Sequence, residues 1–103
     1  MNNFGIVFAS KMLVENKRKV RFMYHEKTSD KQDSGWRFFC GDEDDEYANN
    51  PDNIGIYDIN TIISIDSDIV PFLKNTGNVA FERKEPSSSF SILKDFLRDK
   101  EGN

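Results

Sequence analysis

Residues 20–40 read VRFMYHEKTSDKQDSGWRFFC, two aromatic runs on either side of a polar stretch. In the first run, Val20, Phe22 and Tyr24 alternate with Arg21, Met23 and His25, the period of two that sends successive side chains to opposite faces of a strand. Gly35 opens the second run, Trp36 to Phe39, whose aromatics favour strands. Thr28 to Ser34 contains no apolar residue and reads as the loop between them. Two such strands predict a hairpin or an adjacent antiparallel pair, because strands consecutive in sequence usually neighbour one another in space.

Towards the N-terminus, Phe4, Ile6 and Phe8 interleave with Gly5, Val7 and Ala9, a short run consistent with a strand buried on both faces. Ser10 precedes Lys11 to Val14, and Glu15 to Lys17 is turn-like. Towards the C-terminus, Gly41 breaks the third strand and opens an acidic run, after which Asn49 to Asn53, with Pro51, forms a dense turn signal. Asp58 is a good helix N-cap, followed by Ile59, Ile62 and Ile63 on one helical face. Asp66 is placed to cap a further short turn carrying Ile69 and Val70 ahead of Pro71. Val79 to Arg83 reads as a returning strand. Beyond Pro86 and a run of serines, Phe90, Leu93 and Leu97, joined by Ile92 and Phe96, mark an amphipathic helix over about 89–99, expected to pack on the sheet. The expected fold is therefore α+β: a small, mainly antiparallel sheet with one internal helix and a C-terminal helix, in a single domain spanning 1–103.

The chain has 103 residues, 18 acids against 14 bases, one Cys and one His. A chain of this length buries enough surface for one modest core and not for two. Its apolar stretches are far too short to span a bilayer. Met1 to Ser10 lacks the basic start and long apolar stretch of an export signal, so the expected location is the cytoplasm. Charge is distributed unevenly: residues 1–40 hold eight bases and four acids, residues 41–73 hold nine acids and no base, and residues 74–103 hold six bases and five acids. Asp42, Glu43, Asp44, Asp45 and Glu46 are consecutive. Such a segment repels phosphate backbones, which argues against nucleic acid, in spite of Lys17 to Lys19 beside aromatics, and for a basic partner or a cation.

Tests for chemistry find little. Cys40 closes no internal disulfide, has no Cys or His neighbours to make a zinc site, and borders acids that disfavour a thiolate. His25 suits a structural strand position. The glycines make no phosphate-binding loop, and the acidic run lacks the alternating ligands and central Gly of a calcium loop. No cofactor or catalytic group is expected.

The string from Asp33 to Asn60, DSGWRFFCGDEDDEYANNPDNIGIYDIN, resembles the core of the Imm-thirty-three-like family of predicted bacterial immunity proteins, first described as a domain of unknown function. The resemblance rests on Ser34 to Phe39, Gly41 to Tyr47, Pro51 to Asp58, Asn60 to Ile62 and Ala80 to Arg83. Ser10-Lys11 and Phe22 to Tyr24 add to it, so that it covers most of residues 4–85. Cys40 stands where a small residue such as Ser is expected, and the helix after Pro86 falls outside it. The resemblance implies a small α+β domain without established enzyme activity or cofactor, which binds and neutralises a cognate toxin of a polymorphic toxin system. On that reading the partner is a basic protein met by Asp42, Glu43, Asp44, Asp45, Glu46, Tyr47 and Asp52, with Trp36 an anchor if exposed and a core residue otherwise. The alternative is a housekeeping or regulatory interaction module, or a weak cation binder, that shares the fold.

Overall fold

The computed structural model describes residues 5–75 and 77–93. The two aromatic runs form β2 (Phe22–His25) and β3 (Asp33–Phe39), paired antiparallel with Phe22 opposite Phe39 and His25 opposite Trp36. The strand β1 (Ile6–Ser10) lies on the other side of β3 and runs parallel to it. Around these three, β4 (Ile54–Asp58) adds antiparallel to β1, β5 (Val79–Glu82) antiparallel to β2, and β6 (Ser91–Ile92) antiparallel to β5. The six-stranded order is β4-β1-β3-β2-β5-β6, with β1–β3 the single parallel pairing among the described strands. The α+β, mostly antiparallel expectation holds.

One face of this sheet is covered. Val7, Ala9, Met23, Trp36, Phe38 and Phe81 point from alternate strand positions into a buried cluster with Leu13, Ile59, Ile62, Ile69 and Leu73. These partners come from α1 (Lys11–Glu15), α3 (Ile59–Ile65) and the 3-10 segment Ser67–Phe72 with its following residue. Burying each large aliphatic side chain contributes about 1.5–3 kcal/mol relative to leaving it in water. The expected caps are present: the Asp58 carboxylate accepts from the Asn60 N–H at 2.8 Å, and Asp66 accepts from Asp68 N–H at 3.0 Å. Ser10 also caps α1 by accepting from Leu13 N–H.

Other segments depart from the sequence reading. Lys11 to Glu15 is helical because the Ser10 hydroxyl fills the N-cap role. The third strand starts at Asp33 instead of Trp36, since its polar start is paired with Ile6 of β1 and tied by Arg37, whose two Nη atoms donate to the two Asp33 carboxylate oxygens at 2.9 Å each. Gly35 has φ +92°, and a Cβ there would collide with the Glu26 carbonyl and the His25 ring. The C-terminal helix expected over 89–99 does not begin where its apolar pattern does. Ser91–Ile92 is the strand β6, Leu93 N–H donates to the Ala80 carbonyl, and Phe90 packs edge-on against Phe72 while lying under the Arg83 guanidinium. Residues 94–99 of that expected helix lie outside the described residues.

A buried ionic cluster closes the molecule near β5. Arg83 donates from Nη2 to Asp66 at 2.6 Å, from Nη1 to Asp68 at 3.0 Å and from Nε to the Val20 carbonyl at 2.9 Å. Asp66, fully buried, also accepts from Val20 N–H at 2.9 Å. These bonds lock the entry to β2, the end of β5 and the turn after α3 into one unit.

Candidate functional site

The acidic run leaves the sheet at the end of β3, where Gly41 turns the chain with φ +98°; a Cβ there would fall 3.1 Å from the Arg21 side chain. Its five acids then take different roles. Asp42 meets the Arg18 guanidinium and, at 3.5 Å, Arg21 Nη1. Glu43 turns inward, accepting from the Ser10 hydroxyl and from the Cys40 and Gly41 N–H groups at 2.9 Å each. Burial pushes the Glu43 pKa up, the Ser10 hydroxyl and the Cys40 N–H pull it down by more, and the carboxyl ends below its ordinary value. Asp44 caps the helix α2 (Asp45–Ala48) by accepting from Tyr47 N–H at 2.8 Å. Asp45 and Glu46 project from the first turn of α2 into solvent, and their side chains make no hydrogen bond or ion pair among the described residues.

Tyr47 is half-buried; its hydroxyl accepts from Met12 N–H at 3.0 Å, tying α2 to α1, and its carbonyl accepts from Asn53 Nδ2 at 3.1 Å. Asn50 caps the 3-10 turn Pro51–Asn53, leaving the Asp52 carboxylate exposed. Of the seven residues singled out from the sequence, Asp42, Glu43, Asp44 and Tyr47 thus hold the loop's shape. Asp45, Glu46 and Asp52 present charge to water.

A feature that the sequence reading did not select lies beside them. The sheet face opposite the one packed on α1 and α3 carries Phe22 and Tyr24 from β2 and Phe39 from β3, with ring centroids 5.8 Å (Phe22–Tyr24), 6.0 Å (Phe22–Phe39) and 6.3 Å (Tyr24–Phe39) apart, the last pair nearly parallel. With Gly41, Glu43, Asp45 and Ala48 these rings line an open cleft of about 340 Å³ between the sheet and α2. The alternation in VRFMYH already placed Phe22 and Tyr24 on one face. It did not say which face the helices would cover.

Further along the same face, the Arg37 guanidinium stacks over the Phe8 ring, 4.2 Å from its centroid, and also pairs through Nε with Glu26 at 3.1 Å. The Arg37 guanidinium holds the Asp33 carboxyl below the ordinary carboxylate range. Ile56, opposite Phe8 on β4, is 64% exposed.

Catalytic candidates find no support in this geometry. Cys40 is buried, and burial pushes its thiol pKa up. Both His25 ring nitrogens face backbone carbonyls, Gly77 at 2.8 Å and Ser34 at 2.9 Å, so the ring is a structural tie. Trp36 is 1% exposed and sits in the core, stacked on Phe38, which removes it as a surface anchor. Among the described residues, no group of three or more His, Cys, Asp or Glu is arranged to hold a metal ion, and no helix is long and apolar enough to cross a membrane.

These elements make an α+β domain with a braced acidic loop beside the aromatic side chains of β2 and β3. The family model of the Immunity protein Imm33 domain matches residues 7–93, and the chain belongs to that family. No curated protein and no solved structure matches it.

Proposed function

We propose that this chain is a non-enzymatic immunity protein of the cytoplasm that binds a basic bacterial toxin and blocks it with the surface formed by Asp45, Glu46 and Asp52, braced by Asp42, Glu43, Asp44 and Tyr47. The observation that carries this reading is the rigid presentation of unpaired charge. Asp45 and Glu46 stand on a short helix held at its start by the Asp44 cap and at its side by the Tyr47 hydroxyl. Carboxylates held this way lose little freedom on binding and are not neutralised internally, and complementary charge speeds encounter and fixes orientation. Membership of an immunity-protein family supplies the class of partner. The partner's basic character follows from the acids.

The test is protection of a laboratory bacterium from the polypeptide encoded beside this chain in its source genome. Wild-type protein is expected to restore growth, and the triple variant Asp45→Asn, Glu46→Gln, Asp52→Asn to restore it poorly while melting at the same temperature. Absence of protection by the wild type overturns the immunity reading in favour of a housekeeping interaction module. Full protection by the triple variant overturns the acidic surface alone.

A further inference from the structure

We propose that the outer edge of β4 is a self-recognition site: two copies of this chain join β4 to β4, antiparallel about a two-fold axis at Ile56, so that one sheet runs through both. The inference goes beyond the toxin-binding reading and uses none of its residues.

β4 ends the sheet, and its inner side alone is paired, to β1. Successive residues of a strand turn their backbone groups to opposite sides, so an inward and an outward set can be assigned. Ile6 N–H donates to the Gln32 carbonyl on the β3 side at 3.0 Å, which leaves Val7 and Ala9 to bond β4. Ile59 N–H donates to the Gly5 carbonyl at 3.3 Å, the same alternation seen from the other strand. Gly55 and Tyr57, opposite Ala9 and Val7, therefore face inward, and Ile54, Ile56 and Asp58 face outward. Two of the outward groups are already spent. Ile54 N–H donates to the Pro51 carbonyl, and the Asp58 carbonyl, at the N-cap of α3, takes the first helical bond. Among the described residues, the Ile54 carbonyl, both Ile56 groups and the Asp58 N–H have no partner.

An antiparallel copy centred on Ile56 uses all four. The two Ile56 residues exchange a pair of bonds, and the Asp58 N–H of each copy donates to the Ile54 carbonyl of the other. A strand with every group free would leave two of them facing the spent Ile54 N–H and Asp58 carbonyl; a second copy has the same two groups spent. Side chains agree with this register. Ile56, at 64% the most exposed of the large hydrophobic residues described, meets its own counterpart on the axis, and Asp58 stands opposite Ile54, so like charges stay apart. Nor is the edge guarded. Residues 54–58 carry no Lys, Pro or bulge, the devices by which edge strands avoid pairing.

The test is sedimentation equilibrium of the full-length protein alone. So short an edge buries little area, so a weak monomer–dimer equilibrium is expected, half-associated at about 10–100 μM. Ile56→Lys sets two like charges face to face and is expected to weaken association about tenfold or more, at an unchanged melting temperature because the side chain is exposed. Ile56→Cys reads the register. Bonded residues directly opposed in an antiparallel pair have Cα atoms about 5.5 Å apart, within disulfide reach, so oxidation by copper phenanthroline is expected to link two copies. The wild type, whose single cysteine is the buried Cys40, is expected to stay unlinked. A monomer at every concentration up to about 1 mM overturns the proposal, as does a dimer that Ile56→Lys leaves intact or that Ile56→Cys fails to link. A monomeric wild type whose growth protection is abolished by Ile56→Lys gives the edge to the toxin and likewise overturns self-pairing.

Discussion

Glu43 shows how a residue in a charge run can serve the fold more than the surface. Its carboxylate accepts from Ser10, Cys40 and Gly41, and Ser10 in turn caps α1, so that one side chain joins the end of β1, the end of β3 and the start of the acidic loop. Charge-assisted bonds of this kind contribute about 1.5–3 kcal/mol when enclosed and less where water competes, so Glu43→Gln should cost about 1–2 kcal/mol at neutral pH, read by urea denaturation. The pH dependence follows from the sign of the shift. The folded-state pKa lies below the unfolded value of about 4.3, so the stabilisation is complete above that value and lost as pH falls through the folded one. Wild type and Glu43→Gln should therefore differ most near neutrality and converge in acid, and a constant gap down to about pH 3 would contradict the assignment. At this scale the sequence was a poor guide. Five adjacent acids look alike in one dimension, and what separates Glu43 from Asp45 is the position of Ser10, 33 residues away in the chain.

Among the elements, those with a strong local pattern were readable and those defined by a distant partner were not. The alternation in VRFMYH, the Asp58 cap with its isoleucine face and the Asp66 turn before Pro71 all appear as expected. The helices α1 and α2 are too short to show a periodicity, and β4 is a strand because β1 offers it an edge. The segment after Pro86 carries spacing that suits a helix, yet Ser91–Ile92 joins the free edge of β5, a tertiary contact overriding local preference. Elements are locked to one another most firmly at Arg83 and Asp66, both almost wholly excluded from water. Asp66→Asn leaves the guanidinium facing a neutral amide and should destabilise the protein by about 3–5 kcal/mol, measured by chemical denaturation. Replacing both residues by apolar ones of similar size should cost much less than the single change. A single change worth under about 1 kcal/mol would show that the cluster contributes little.

On the scale of the whole molecule, the sheet divides labour between its faces. One is sealed by α1, α3 and the 3-10 segment, and the other carries the rings of Phe22, Tyr24 and Phe39 and the Arg37 ion pairs with Asp33 and Glu26. That division was not legible beforehand, because a strand with large side chains on both faces gives no hint of which will be covered. The acid-rich centre of the chain was legible as a whole. The structure spends part of that charge on Arg18, Arg21, Lys19 and Arg83, drawn from the segments on either side.

The place of β1 between β3 and β4 has a consequence for biosynthesis. β1 leaves the ribosome before either neighbour; its β3 edge can close only once the chain has passed Phe39, and its β4 edge stays bare until the chain has grown from Ser10 past Asp58, an interval of about 2–10 s at roughly 5–20 residues per second. Throughout it, an apolar strand with at least one bare edge is open to any other nascent chain. A polypeptide stopped at Asn53, before β4, should therefore scatter light and associate on release, whereas the full chain stays dispersed. A dispersed truncated chain would mean that β3 alone shelters the strand. The same position that pairs β1 on both edges in the finished protein leaves it exposed while the chain is being made.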